Sequence, residues 1–305
     1  MPAMCGESVV LRILDRSSVA LDFEALGFDG AALASFQSIL QQPNGIILVT
    51  GPTGSGKTTT LYTALSALNS TERKVFTVED PIEYRLDGVN QIQVNPKIGL
   101  TFATALRSIL RQDPDIVMVG EIRDLETAEI AIRASLTGHL VLSTVHTNSA
   151  AATITRLLDM GVEDYLMASS LKAVVAQRLV RRLCRACSQP AEVSAAQLER
   201  IYRIAGIAPA SGAGDHHGMR QACGCKDCRQ TGFSGRTTIY EVLTVNERVR
   251  DAVLTEASER GIEDAGRTGG MVPMISNGIA KVLAGETTLE EVLRVTRFDD
   301  AALQL

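Results

Sequence analysis

Eight consecutive residues constrain this chain more than any others. Gly51-Pro52-Thr53-Gly54-Ser55-Gly56-Lys57-Thr58 fits G-x-x-x-x-G-K-[ST] at every position, between the apolar run Ile46–Thr50 and the helix-patterned Thr58–Leu68. Strand, glycine-rich turn and helix in that order make a phosphate-binding loop. The glycines let backbone N–H groups turn inward around phosphate oxygens without Cβ clashes, and the helix directs its positive end at the same oxygens. On this reading Lys57 reaches the β- and γ-phosphates of ATP, the Thr58 hydroxyl ligates Mg2+, and Thr59 follows in the same helical turn.

The surrounding pattern is that of an α/β domain. Short apolar segments at Lys74–Val78, Ile116–Val119 and His139–Val145 alternate with helix-patterned Phe102–Arg111 and Leu125–Leu136, and residues 90–96 can add one more strand. Apolar strands alternating with helices predict a mostly parallel sheet covered on both faces. Upstream, Asp29 is placed to cap a helix carrying Leu33, Phe36, Ile39 and Leu40. Beyond Ala150 the strand signal thins. Leu166–Leu183 reads as a helix ending in Arg178, Arg181, Arg182 and Arg185; Ser194–Ala205 as another; residues 206–218 as a loose Gly/Ala/Ser loop; and residues 285–293 as a threonine-capped helix. Glu7–Leu14 has strand character without an evident neighbour.

Composition removes several classes. With 45 % hydrophobic and 21 % charged residues, the 305-residue chain is neither disordered nor fibrous. A net charge of −5 and the absence of Trp argue against a nucleic-acid partner held directly. No apolar run is long enough for a membrane helix, and Met1–Leu14 lacks the layout of a secretory leader, so the expected location is the cytoplasm.

In open α/β sheets ligands lie beyond the carboxyl ends of the strands. Two strands run into acids there, one into Glu79-Asp80-Pro81-Ile82-Glu83 and the other into Gly120-Glu121. Either Glu79 or Glu121 can polarise an attacking water while the other shapes the Mg2+ shell. Arginines cluster nearby in sequence. Arg107 and Arg111 share one helix face, and Arg123 and Arg133 follow; each is either a stabiliser of phosphate charge or a solvated surface group. His139 and His146 flank one strand and are placed to sense a γ-phosphate.

Four of six cysteines form two C-x2-C knuckles, Cys184/Cys187 and Cys225/Cys228, which predict one structural Zn2+. A helical insert can bring the distant knuckles together. Cys223, His216 and His217 are alternative ligands, and Cys5 is a spare.

Beyond the phosphate loop, Thr77-Val-Glu-Asp-Pro-Ile-Glu83, Leu106–Asp124 and Leu136–Asn148 resemble, in order and separation, the Asp box, Walker B region and His box of the type II secretion and type IV pilus assembly ATPases. The resemblance runs from about Gly6 to Thr296. It implies a RecA-like motor core, a cytoplasmic homo-hexamer with ATP at subunit interfaces, and inner-membrane platform and recruiting proteins as partners. By position it makes Glu121 the Walker B glutamate, Glu79 and Glu83 the Asp-box acids, and His146 the His-box histidine. Arg107 and Arg123 are added to the nucleotide-site residues. A four-cysteine module accompanies the assembly members and not the retraction motors. Only Glu7–Asp15, including Arg12, resembles the end of the family's N-terminal domains.

The expected organisation is thus a remnant at residues 1–15, an ATPase core at 16–177, a four-cysteine zinc module at 178–240 and a helical region at 241–305. The expected function is an ATP-hydrolysing motor for pseudopilus assembly and protein export, or for pilus assembly. A DNA-uptake ATPase of the same superfamily and a nucleotide-binding switch without turnover are the alternatives.

Overall fold

The computed structural model describes residues 2–3, 6–7, 9, 21–206, 218–255 and 257–296. Arg12, Cys5, His216, His217 and the greater part of the expected strand Glu7–Leu14 lie outside them, as does most of the loop expected over residues 206–218.

One seven-stranded sheet organises the chain: β1 (Gly45–Thr50), β2 (Val75–Glu79), β3 (Val89–Gln93), β4 (Ile116–Val119), β5 (Leu140–Val145), β6 (Leu171–Leu183) and β7 (Phe233–Thr244). Their spatial order is β7-β6-β1-β5-β4-β2-β3. All neighbours are parallel except β7, which returns antiparallel along β6. The interior strands β1, β2, β4 and β5 are buried along their whole length and read as near-continuous apolar runs, whereas the edge strand β3, Val-Asn-Gln-Ile-Gln, is partly exposed.

Alternate residues of β1 feed two separate cores. Ile46 and Leu48 point to one face, with Val117, Val141, Ile154 and Val292; Ile47 and Val49 point to the other, with Leu61, Phe36 and Tyr240. The second face is covered by α1 (Gly30–Leu40) and α2 (Lys57–Leu68). Helices on the first face include α3 (Phe102–Ile109), α4 (Leu125–Leu136) and α5 (Ala150–Asp159). Asp29 occupies the position before α1, but its side chain makes no cap bond to the helix; its carboxylate instead meets the Tyr240 hydroxyl at 3.0 Å.

The region after Ala150 differs from the sequence expectation. Leu166–Leu183 is not one helix: a short helix, Asp164–Ser170, gives way at Leu171 to β6, thirteen residues long. The apolar spacing that suggests a helix arises because β6 is an interior strand, so Ala173–Gln177 are buried regardless of alternation. β-Branched Val174, Val175 and Val180 suit the extended form. The expected boundary between residues 177 and 178 therefore falls inside β6, which, with β7, joins the segments on either side into one sheet.

Helix α6 (Ala195–Ala205), capped by Ser194, fills the segment between the cysteine knuckles. Gln189–Pro190 pairs with Arg220–Gln221 and draws the two ends of that segment together. The chain then closes with α7 (Glu247–Thr255), α8 (Glu259–Thr268), α9 (Met274–Leu283) and α10 (Leu289–Thr296). Among the described residues no helix is long and apolar enough to cross a membrane.

Candidate nucleotide site and metal centre

The phosphate loop joins β1 to α2 as its sequence predicts. Gly51 has φ +148°, and a Cβ there would stand 2.5 Å from the Gln177 carbonyl, so only glycine fits. Gly56 has φ +88° and starts α2 from the left-handed region. Gln177 of β6 clamps the loop: its amide donates to the Ser55 carbonyl at 2.8 Å, and its carbonyl oxygen accepts from the Thr60 hydroxyl at 2.9 Å. Lys57 is buried and donates to the carbonyls of Gly51 and Pro52 at 2.8 and 3.1 Å. Burial lowers its pKa, opposed by the nearby Glu121 carboxylate. The Ser55 hydroxyl is buried without a protein partner inside this turn of backbone amides. A cradle of this form, with a lysine and a threonine at the helix start, fits a nucleotide phosphate and its Mg2+.

The loop opens onto a cleft of about 570 Å3. Thr53, Gly54, Gly56, Lys57, Thr58 and Thr59 form one wall, and the acids Glu79, Asp80, Glu83 and Glu121 another. This follows from the topology: β5, β4 and β2 all lie on the same side of β1, and the acids and His146 follow their carboxyl ends. Glu121 is mostly buried, with Arg123 at 2.5 Å from one oxygen and His146 at 3.5 Å from the other. Glu79 is 3 % exposed, and accepts from Thr77, Gln91 and Tyr62.

Two sequence candidates lie elsewhere. Arg107 pairs with Glu126 at 2.7 Å on the exposed surface and does not line the cleft. His139 sits at the opposite end of β5 from His146 and bonds the Ala134 carbonyl at 2.9 Å, so a γ-phosphate at the strands' carboxyl ends is out of its reach. Conversely, Leu179 and Arg236 line the cleft and were not singled out in the sequence. They belong to β6 and β7, whose place beside the phosphate loop depends on the long-range strand pairing.

The four cysteines meet as their spacing predicts. The sulfurs of Cys184, Cys187, Cys225 and Cys228 lie within 4.8 Å of one another. The pairs 184/225, 187/228 and 225/228 stand 3.9, 3.8 and 3.7 Å apart. Tetrahedral zinc with Zn–S of about 2.3 Å requires sulfur separations of about 3.8 Å. The amides of Gly224, Cys225 and Gly232 point at the sulfurs, as suits thiolates. Cys223 is exposed and lies outside the cluster.

A phosphate loop on a RecA-like sheet, two carboxylate-tipped strands facing it and a four-sulfur cluster beside it define a P-loop ATPase fold with a four-cysteine module whose sulfurs lie close enough to hold a metal ion. The chain belongs to the family described as type II/IV secretion system protein, which matches residues 1–294. It is 54 % identical to the type II secretion system protein E of Xanthomonas campestris pv. campestris over 97 % of this chain and 51 % of that protein. It is 50 % identical to the type II secretion system ATPase E of Vibrio cholerae (97 % and 57 % covered), and 49 % to the type IV pilus assembly ATPase PilB of Myxococcus xanthus (98 % and 52 %). The chain thus spans about half the length of the curated relatives it matches. Among solved structures it resembles the pilus retraction motor PilT with bound ADP, with TM-score 0.69 and 28 % identity over 96 % of this chain and 71 % of that one.

Proposed function

We propose that this chain is the ATP-hydrolysing motor portion of a type II secretion or type IV pilus assembly machine. The observation that carries the reading is the convergence of the phosphate loop, Glu79, Glu83, Glu121 and His146 on one cleft. Backbone amides of residues 53–58 hold the phosphates, Lys57 offsets their charge, and Thr58 provides the Mg2+ ligand. Mg2+, when bound, neutralises charge on the phosphate oxygens. Glu121 orients the attacking water and takes its proton, since its partners Arg123 and His146 are solvent-facing side chains on the same wall. Arg123 is positioned to follow charge that develops there. Leu179 and Arg236, on the side of β1 opposite the acids, form the nucleoside wall.

The four-cysteine cluster holds a structural Zn2+ and favours assembly or secretion over retraction, as the family resemblance implies. The working form is a homo-hexamer at the cytoplasmic face of the inner membrane, engaged with platform and recruiting proteins and without direct nucleic-acid contact.

The test is Mg2+-dependent phosphate release across a wide protein concentration range, with Lys57→Ala as control. Specific activity that rises with concentration, and is abolished in Lys57→Ala, is expected of catalysis at subunit interfaces. Near-wild-type release by Lys57→Ala overturns the site. ATP binding without release at any concentration favours a nucleotide-binding switch.

A further inference from the structure

The two carboxylates of the cleft are held in different ways, and the difference singles out a residue that the phosphate chemistry does not otherwise use. Glu121 meets the Arg123 guanidinium and the His146 imidazole at the cleft surface. Glu79 meets neutral donors inside the protein: the Thr77 hydroxyl at 2.5 Å and the Gln91 amide at 3.1 Å on one oxygen, and the Tyr62 hydroxyl on the other. Thr77 and Gln91 belong to β2 and β3, neighbours in the sheet that carries Glu79 itself. Tyr62 belongs to α2, the helix that begins at Lys57.

That placement matters. Residues four apart share one face of a helix, so Tyr62 stands one turn beyond Thr58 on the same face. Its ring is fully buried and meets Tyr84 of the acidic loop edge-on, centroids 4.5 Å apart. Burial, then the hydrogen bond to Glu79 and its charge, raise the pKa of the phenol, so the hydroxyl remains a donor across the physiological range. Gln91 completes the arrangement: its amide also donates to the Tyr84 carbonyl, and its carbonyl oxygen accepts from the Leu86 amide, holding the acidic loop to β3.

We propose that Tyr62 is a positioning residue for turnover, its hydroxyl fixing the Glu79 carboxylate relative to the phosphate loop. The inference rests on the ATPase reading above. Tyr62 does not touch nucleotide; it acts through Glu79. Its removal therefore affects the chemical step and spares nucleotide affinity, which resides in the loop amides, Lys57 and the nucleoside wall.

Tyr62→Phe keeps the ring and its packing on Tyr84 while deleting the donor. We expect kcat to fall about tenfold, with KM for ATP and Kd for ADP within about twofold of wild type. In a Glu79→Gln background the same substitution should cause no further loss of kcat, because both changes disable one coupled pair. A merely structural role would instead weaken ADP binding together with turnover and leave the two losses additive. Additive losses, or wild-type kcat in Tyr62→Phe, overturn the proposal alone. Absence of phosphate release from the wild-type protein defeats the ATPase reading, and the proposal with it.

Discussion

The His146 imidazole stands 3.5 Å from the Glu121 carboxylate, at the mouth of the cleft and within the field of Lys57 and Arg123. Burial first, and then those two cations, lower the pKa of His146 below its usual value of 6.5, against the pull of Glu121. The folded protein thus favours neutral imidazole. Its contribution to stability is present above pH 6.5 and is lost as pH falls through the lowered pKa.

Protonation of His146 places a third cation beside Glu121 and, on the proposed mechanism, competes for the carboxylate that takes the proton of the water. Phosphate release should therefore fall on the acid side, below the ordinary histidine value of 6.5. His146→Gln should remove that acid-side step. A pH–rate profile identical in the two proteins would disprove the link.

Arg236 reaches the cleft from β7 on the side away from the acids, the wall assigned to the nucleoside in the proposed function. Arg236→Ala should weaken ATP and ADP alike by about tenfold, the loss of one charge-assisted contact worth about 1.4 kcal/mol, with kcat nearly unchanged. Titration with a fluorescent ADP analogue measures this. An effect on kcat alone would place Arg236 at the reacting phosphate instead.

The cysteine cluster closes the ends of β6 and β7: the Cys184 amide bonds the Gly232 carbonyl at 2.9 Å, and the Gly232 amide points at the Cys228 sulfur. One zinc per chain is expected by metal analysis. Chelation or Cys225→Ser should lower the melting temperature. An unchanged melting curve after verified metal loss would refute a structural role.

Glu291 joins α10 to β6 through Arg181 at 2.6 Å, with Arg294 at 3.0 Å. Although burial favours its neutral form, hydrogen bonds from both arginines hold its pKa down to about 2. The sign is that of a paired carboxylate: full stability above the unfolded pKa near 4.5, lost as pH falls toward 2. Glu291→Gln should destabilise the protein by about 1–3 kcal/mol at pH 7, since both arginines are half-exposed and screened. Thermal melts at pH 7 and pH 3 should show the gap between variant and wild type narrowing on acidification.

Much of the core was legible residue by residue. The phosphate loop, the strands Ile116–Val119 and Leu140–Val145, and the helix Leu125–Leu136 each carry a local signal: a glycine pattern, an apolar run or a helical period. The acids at the ends of β2 and β4 followed from strand direction alone. The four-cysteine cluster was legible because ligand spacing is itself local information, although the segment between the knuckles had to fold back before they could meet.

What the sequence by itself determined is therefore the chemistry on offer: a phosphate cradle, carboxylates beyond strand ends and four clustered cysteines. Which of those groups face one another was decided by the tertiary structure. Leu171–Leu183 has apolar residues at helical spacing, and it becomes a strand because an interior place in the sheet satisfies its backbone and buries Val174 and Val175 together. That choice sets Gln177 under the phosphate loop, and Leu179 and Arg236 beside it. In sequence, nothing marks Tyr62 out within the helix-patterned Thr58–Leu68. Only the docking of that helix on the sheet brings its hydroxyl to Glu79, because a hydrogen bond between residues distant in sequence exists only once packing has fixed both ends.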